Sequence, residues 1–148
     1  MLPVTSNTIR LFLHVLAAMV WVGGQLTLGA LIPAVRTGGT DLVRKTARQF
    51  QLVAWPAYAV LLITGAWNLS AVHLSRQSDQ YLTTLAVKLA CVVLSGVTAA
   101  AHILIAAPRV RAATTEAERR RAAAMSGAFE SFSLLFALAA AFLGIMLT

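Results

Sequence analysis

LTTLAVKLACVVLSGVTAAAHILIAA, residues Leu82–Ala107, decides what kind of chain this is. A helix that spans a membrane needs about 20 predominantly apolar residues, each adding about 1.5 Å. This stretch exceeds that length and is interrupted only by the ionisable side chains of Lys88 and His102. Three similar runs surround it. Leu11–Val35 has His14 and Gln25 as its strongly polar members, Leu52–Leu74 follows, and the last lies within Ala122–Thr148 with Glu130 near its start. A soluble helical bundle would need a charged outer face on each helix, and these runs have none. Composition agrees: the 148 residues are 59% hydrophobic and 11% charged, where a soluble domain carries about 25% charged residues. The expected architecture is all-α: a four-helix transmembrane bundle forming a single domain over residues 1–148, with no soluble domain. The helices are expected at about 9–35, 52–74, 82–107 and 124–148.

The net charge of +7 is not spread evenly. Arg36, Arg44, Lys45 and Arg48 separate the first two runs, and Arg109, Arg111, Arg119, Arg120 and Arg121 separate the last two. The positive-inside rule makes residues 36–51 and 108–123 cytoplasmic loops. Both termini and the Ser75–Gln80 loop then face outward, in a multi-pass protein of the plasma or inner membrane. The lipid bilayer is the expected partner, with the basic loops near anionic head groups. No aromatic or motif pattern supports nucleic-acid binding. The first run is too long for a cleaved signal peptide, and more positive charge follows it than precedes it. A single cysteine, Cys91, excludes a disulfide within the chain.

Between the runs, Thr37-Gly38-Gly39-Thr40-Asp41 breaks the helix ahead of a short amphipathic turn. Ala112–Ala124 reads as a surface helix capped by Thr114 or Thr115, with Glu116 and Glu118 in its first turn. Pro33 and Pro56 fall near helix ends. Gly96 with Ala100, and Ser133, Ala137, Ala140, Ala141 and Gly144, form small-residue faces that let helix backbones approach in lipid. Such faces make a homodimer or a larger membrane complex an expected assembly. Trp55, Tyr58, Trp67 and Tyr81 are expected as interfacial anchors.

Ionisable groups inside a span cost about 2.5–3.5 kcal/mol at the helix centre, so they are functional candidates. His14 lies roughly 6 Å past Arg10, and Lys88 roughly 10 Å past Tyr81, which puts both in the outer half. His73 ends helix two on the same side. His102 and Glu130 lie in the inner half on antiparallel neighbours, as a second pair with a structural or proton-linked role. Lys88, Ser95 and His102 recur every seven residues, with Cys91 one turn after Lys88, so they share one polar face. His14, Ala18 and Trp21 share another, with Gly24 nearby. Imidazole is the commonest metal ligand and also binds haem iron, and Cu(I) prefers soft sulfur. The cofactor-binding candidates are therefore His14, Lys88, Trp21 and His73, and the metal candidates His14, Cys91 and Met19. The ligand is a copper ion or haem b. Each has a plainer alternative: His14 bonding a neighbouring helix, Lys88 snorkelling to the surface, His73 at the interface, Cys91 as a small buried hydrophobe.

His14-Val15-Leu16-Ala17-Ala18-Met19-Val20-Trp21-Val22-Gly23-Gly24 resembles the first-helix signature of the CopD-like copper-resistance family. The resemblance continues at Thr64-Gly65, at Tyr81-Leu82-Thr83-Thr84 and at Val87-Lys88-Leu89, covering roughly residues 9 to 110. It implies a membrane protein linked to copper uptake or tolerance, with copper arriving from outside the cell or the periplasm. The family is also distantly similar to the HemJ-type protoporphyrinogen oxidases, whose first-helix His and third-helix Lys correspond to His14 and Lys88 and imply haem b. The surroundings of Lys88 here lack the aromatic and His pattern of that group. The expected function is copper handling at an outer-half site around His14 and Lys88. The alternative is a haem-b protein for electron transfer or porphyrinogen oxidation, which would be a haem-dependent oxidoreductase. A third reading is a non-catalytic accessory subunit whose polar stripe locks helix packing.

Overall fold

The computed structural model of the chain describes residues 4–147. It contains four long helices: α1 (Ser6–Arg36), α2 (Thr40–Ser70), α3 (Asp79–Ala112) and α4 (Glu116–Met146). Each is long and apolar enough to cross a membrane. At about 1.5 Å per residue every one of them exceeds a hydrocarbon core of about 30 Å, so the helices tilt or project beyond it.

The surplus length lies where loops were expected. Residues 40–51 are the first turns of α2, and the expected surface helix at 112–124 is mostly the first turns of α4. Hydropathy registers only the part of a helix that lipid surrounds, whereas Arg44, Lys45, Arg48 and Gln49, and most of Glu116–Arg121, are good helix formers with charged or polar side chains. The first connection shrinks to residues 37–39. Gly39 caps α2 at a φ of 89°, in the left-handed region that glycine enters without a Cβ penalty. Thr115 caps α4 in a capping box: its hydroxyl accepts from the Glu118 N–H, and the Glu118 carboxylate accepts from the Thr115 N–H. Between α2 and α3 the chain makes one 3₁₀ turn, Leu74–Arg76, and Ser78 caps α3. Pro56, expected near the start of helix two, lies well inside α2.

α3 is not uniform. It is α-helical over Asp79–Ala101, π-helical over His102–Ala106 and α-helical again over Ala107–Ala112. Pro108 explains the change. It has no N–H for the Leu104 carbonyl, and its ring presses on that carbonyl. The backbone opens by one residue, and the Ala107 N–H bonds the His102 carbonyl five residues back.

The chain divides into two compact units, Met1–Arg76 and Gln77–Thr148. In the first, α1 packs on α2. Ala17, Trp21 and Gln25 of α1 are buried, as are Ala54, Tyr58 and Thr64 of α2. Gly24 admits the Phe50 ring: a Cβ at this position would stand 2.5 Å from the ring's Cε2. In the second, α3 packs on α4. Their crossing is marked by Ser95 and Ser133, each 1% exposed. The Ser95 hydroxyl donates to the Ser133 carbonyl at 2.9 Å, and the Ser133 hydroxyl to the Ser95 carbonyl at 3.0 Å. Phe12, Ile63, Leu104 and Ile145 are among many large apolar side chains left exposed, a surface that suits acyl chains and not water.

Candidate functional site

In the first unit the central residue is His14, half-buried on α1. Its Nδ1 lies 2.9 Å from the Thr64 Oγ1 of α2. Thr64 is buried, and its hydroxyl donates to the Val60 carbonyl at 2.7 Å. A hydroxyl has one hydrogen. With that hydrogen committed to Val60, the oxygen accepts from Nδ1–H, and the lone pair of the neutral ring resides on Nε2. The neighbouring Gly65 brings its backbone against the ring edge, since a Cβ there would lie 3.5 Å from the His14 Cε1. One turn earlier on α1, the Arg10 Nη1 donates to the Trp67 carbonyl at 3.4 Å, and Nη2 bonds the Asn7 side-chain oxygen. Arg10–Trp67 and His14–Thr64 are thus successive rungs between α1 and α2.

Deeper along α1, Trp21 is almost fully buried and joins an aromatic cluster. Its ring centroid is 4.5 Å from Tyr58 and 5.7 Å from Trp55. Trp55 and Tyr58, expected as interfacial anchors, both pack on Trp21. Gln25 follows one turn after Trp21. It is buried, and neither its amide nitrogen nor its oxygen has a hydrogen-bond partner; the Arg10 Nε and the Asn68 Oδ1 are in the same condition. Met19 is 65% exposed. Five residues of helix place it about 140° around the axis from His14, so the two do not converge. His73 is exposed and lies beyond the end of α2.

In the second unit the polar stripe of α3 is the seam with α4. Lys88 is half-buried, and its amine lies over Gly144, where a Cβ would stand 3.1 Å from Nζ. Ser95 meets Ser133, as described above. His102 meets both Ser126 and Glu130: its Nδ1 is 3.2 Å from the Ser126 carbonyl oxygen and its Nε2 3.4 Å from the Glu130 Oε1. Cys91 is a free, half-buried thiol on the same helix. Among the described residues, no three His, Cys, Asp or Glu side chains gather as a metal-binding group.

Thr64, Arg10 and Gln25 are the residues that sequence reasoning did not single out as site members. A threonine within a helix ordinarily bonds its own i−4 carbonyl, so its identity alone does not announce a cross-helix partner. Its place in the Thr64-Gly65 pair was the available signal.

Compared with known families, residues 44–146 match the family model described as CopD, copper resistance protein D. The match takes in most of α2 and all of α3, and ends at the last residue of α4; the His14–Gly24 stretch precedes it. No curated protein matches the chain, and no solved structure matches it.

Proposed function

The chain belongs to the copper resistance protein D family and is a membrane protein of that type, and on this premise we propose that it handles copper, in uptake or tolerance, with His14 as a ligand for the ion. The observation that carries the proposal is the His14–Thr64 hydrogen bond. Metal-binding imidazoles characteristically donate their second ring N–H to a neighbouring oxygen, which fixes the tautomer and aims the other nitrogen. Thr64 supplies that oxygen, and the backbone at Gly65 lines the ring. The rest of the proposal follows the charge pattern. The arginine-rich connections face the cytoplasm, so copper reaches His14 from the outer side, in the plasma or inner membrane. Lys88, about two turns into α3, is the second position assigned to this task. Gly144 leaves room for its amine, which ligates when neutral or pairs with an anionic group when charged.

The test is a copper titration of the purified protein in lipid nanodiscs, with Cu(I) and Cu(II) separately. Stoichiometric copper lost in His14→Ala and retained in His73→Ala is the expected result. Copper binding that ignores His14→Ala overturns the assignment. An absorption spectrum of the same samples separates the rival ligand, because a Soret band that vanishes in His14→Ala would replace copper with haem b.

A further inference from the structure

His14 has a charged neighbour on its own helix face. Arg10 precedes it by one turn, the spacing at which two side chains of a helix lie next to each other. The guanidinium is held in place. Its Nη1 donates to the Trp67 carbonyl at 3.4 Å, its Nη2 donates to the Asn7 side-chain oxygen, and its Nε is buried. Both acceptors are neutral, so neither cancels the charge. The last carbonyls of α2 offset part of it, since a helix C-terminus carries about half a negative charge. No carboxylate of this unit completes the neutralisation. Asp41 is the one acidic side chain within residues 1–76, and it lies in the first turn of α2, roughly 35 Å of helix from Thr64. Arg76, beyond the end of α2, has the same sign as Arg10.

We propose that Arg10 is a specificity-determining residue that biases the His14 site toward Cu(I) and against Cu(II); the inference rests on the reading of His14 as a copper ligand. The energy of an ion beside a fixed charge is proportional to the ion's own charge. A divalent ion beside Arg10 is therefore repelled twice as strongly as a monovalent one. Ligand type does not reverse this. Cu(II) favours a tetragonal set of N and O ligands, and among the described residues no three His, Cys, Asp or Glu side chains gather. A thioether would favour Cu(I) by its softness, but Met19 lies about 140° around α1 from His14. Charge is what separates the two ions here. On the route assigned above, an ion also passes Arg10 before it meets His14, so the same repulsion acts on entry.

Chelator competition in lipid nanodiscs tests it, with Cu(I) held reduced without oxygen and Cu(II) measured without reductant. Arg10→Gln and Arg10→Met remove the charge, and Arg10→Lys keeps it. Removing the charge should raise Cu(I) affinity about threefold and Cu(II) affinity about tenfold, close to the square of the first figure. Arg10→Lys should leave the ratio of the two affinities at its wild-type value. Equal gains, no gain, or a gain for Cu(I) alone would overturn the inference, as would Arg10→Lys behaving like Arg10→Gln. Arg10→Met supplies the reading if Arg10→Gln does not fold. His14→Ala keeps the two ideas apart. Copper binding that survives His14→Ala removes the copper reading of His14 and this inference with it. Binding lost in His14→Ala, together with equal gains in Arg10→Gln, removes the inference alone.

Discussion

His14 and Thr64 stand 2.9 Å apart, ring nitrogen to hydroxyl, and the hydroxyl's single hydrogen already belongs to the Val60 carbonyl. Toward the ring, the Thr64 oxygen therefore acts as an acceptor. Thr64→Val keeps the shape of the side chain and removes that acceptor. Copper affinity should fall by about 10–100-fold, the usual consequence of losing the group behind a metal-binding histidine. Thr64→Ser should restore most of it. Competition against a chelator of known affinity measures both. Wild-type affinity in Thr64→Val would show that Thr64 does not position the ring.

A second prediction concerns packing of α1 on α2. A Cβ at Gly24 would meet the Phe50 ring at 2.5 Å. Alanine in place of glycine favours a helix by about 1 kcal/mol, but displacing a packed ring costs about 1–3 kcal/mol. Gly24→Ala should therefore be neutral to destabilising, and Gly24→Val clearly destabilising. Shortening the ring's partner position reverses the sign. In a Phe50→Leu background, Gly24→Ala should stabilise, and a double-mutant cycle on unfolding midpoints reads the coupling.

How far the sequence foretold this structure depends on which physical signal each element emits. The four spans were legible because apolar length is read by composition alone. Their ends were not: residues 40–51 and 116–123 are helical although their charged residues keep both stretches below the hydropathy of a membrane span. The cap expected at Thr114 or Thr115 for a separate surface helix proves to be the start of α4, at Thr115. Depth arithmetic put His102 beside Glu130, and seven-residue spacing put Lys88, Ser95 and His102 on one face, which proves to be the α3–α4 seam. Partners that depend on tertiary approach escaped. Thr64 behind His14, Trp55 and Tyr58 around Trp21, and the unpartnered Gln25 are products of how α1 meets α2 or how its face is buried, and no local pattern encodes them. The π segment had a local cause in Pro108, but a proline four residues past a carbonyl predicts a disturbance without saying which kind.

The serine crossing of α3 and α4 separates polarity from volume. Ser95 and Ser133 exchange two hydrogen bonds and are each 1% exposed. Hydrogen bonds between helices in lipid average about 0.6 kcal/mol and reach about 1.7. Ser95→Ala should therefore cost little. Ser95→Leu has to insert three carbons beyond the Cβ into a closed crossing and should cost about 1–3 kcal/mol. If unfolding midpoints ranked the two substitutions in the opposite order, hydrogen bonding rather than close approach would govern this seam.

The last prediction is a pH dependence at the polar start of α4, ahead of its apolar run. The Glu118 carboxylate accepts from the Thr114 and Thr115 backbone N–H groups and from the Thr114 hydroxyl. Those hydrogen bonds, the backbone one from Thr114 first, hold its pKa below the ordinary glutamate value. A carboxylate whose pKa is depressed by folding stabilises the folded form above its unfolded pKa, about 4.3, and that contribution disappears as pH falls through the folded value. Acidification below about pH 4 should consequently fray the first turn of α4 while the membrane-spanning part stays helical. Amide exchange at Arg119, Arg120 and Arg121, compared with amides near Ser133, measures it. Glu118→Gln should show the faster exchange already at neutral pH, with no further change on acidification. Thr115→Ala removes the hydroxyl that accepts from the Glu118 N–H but leaves the carboxylate's other donors in place, so it should fray the same turn yet retain the acid step. A flat wild-type profile down to pH 3 would mean that the carboxylate contributes nothing to the cap.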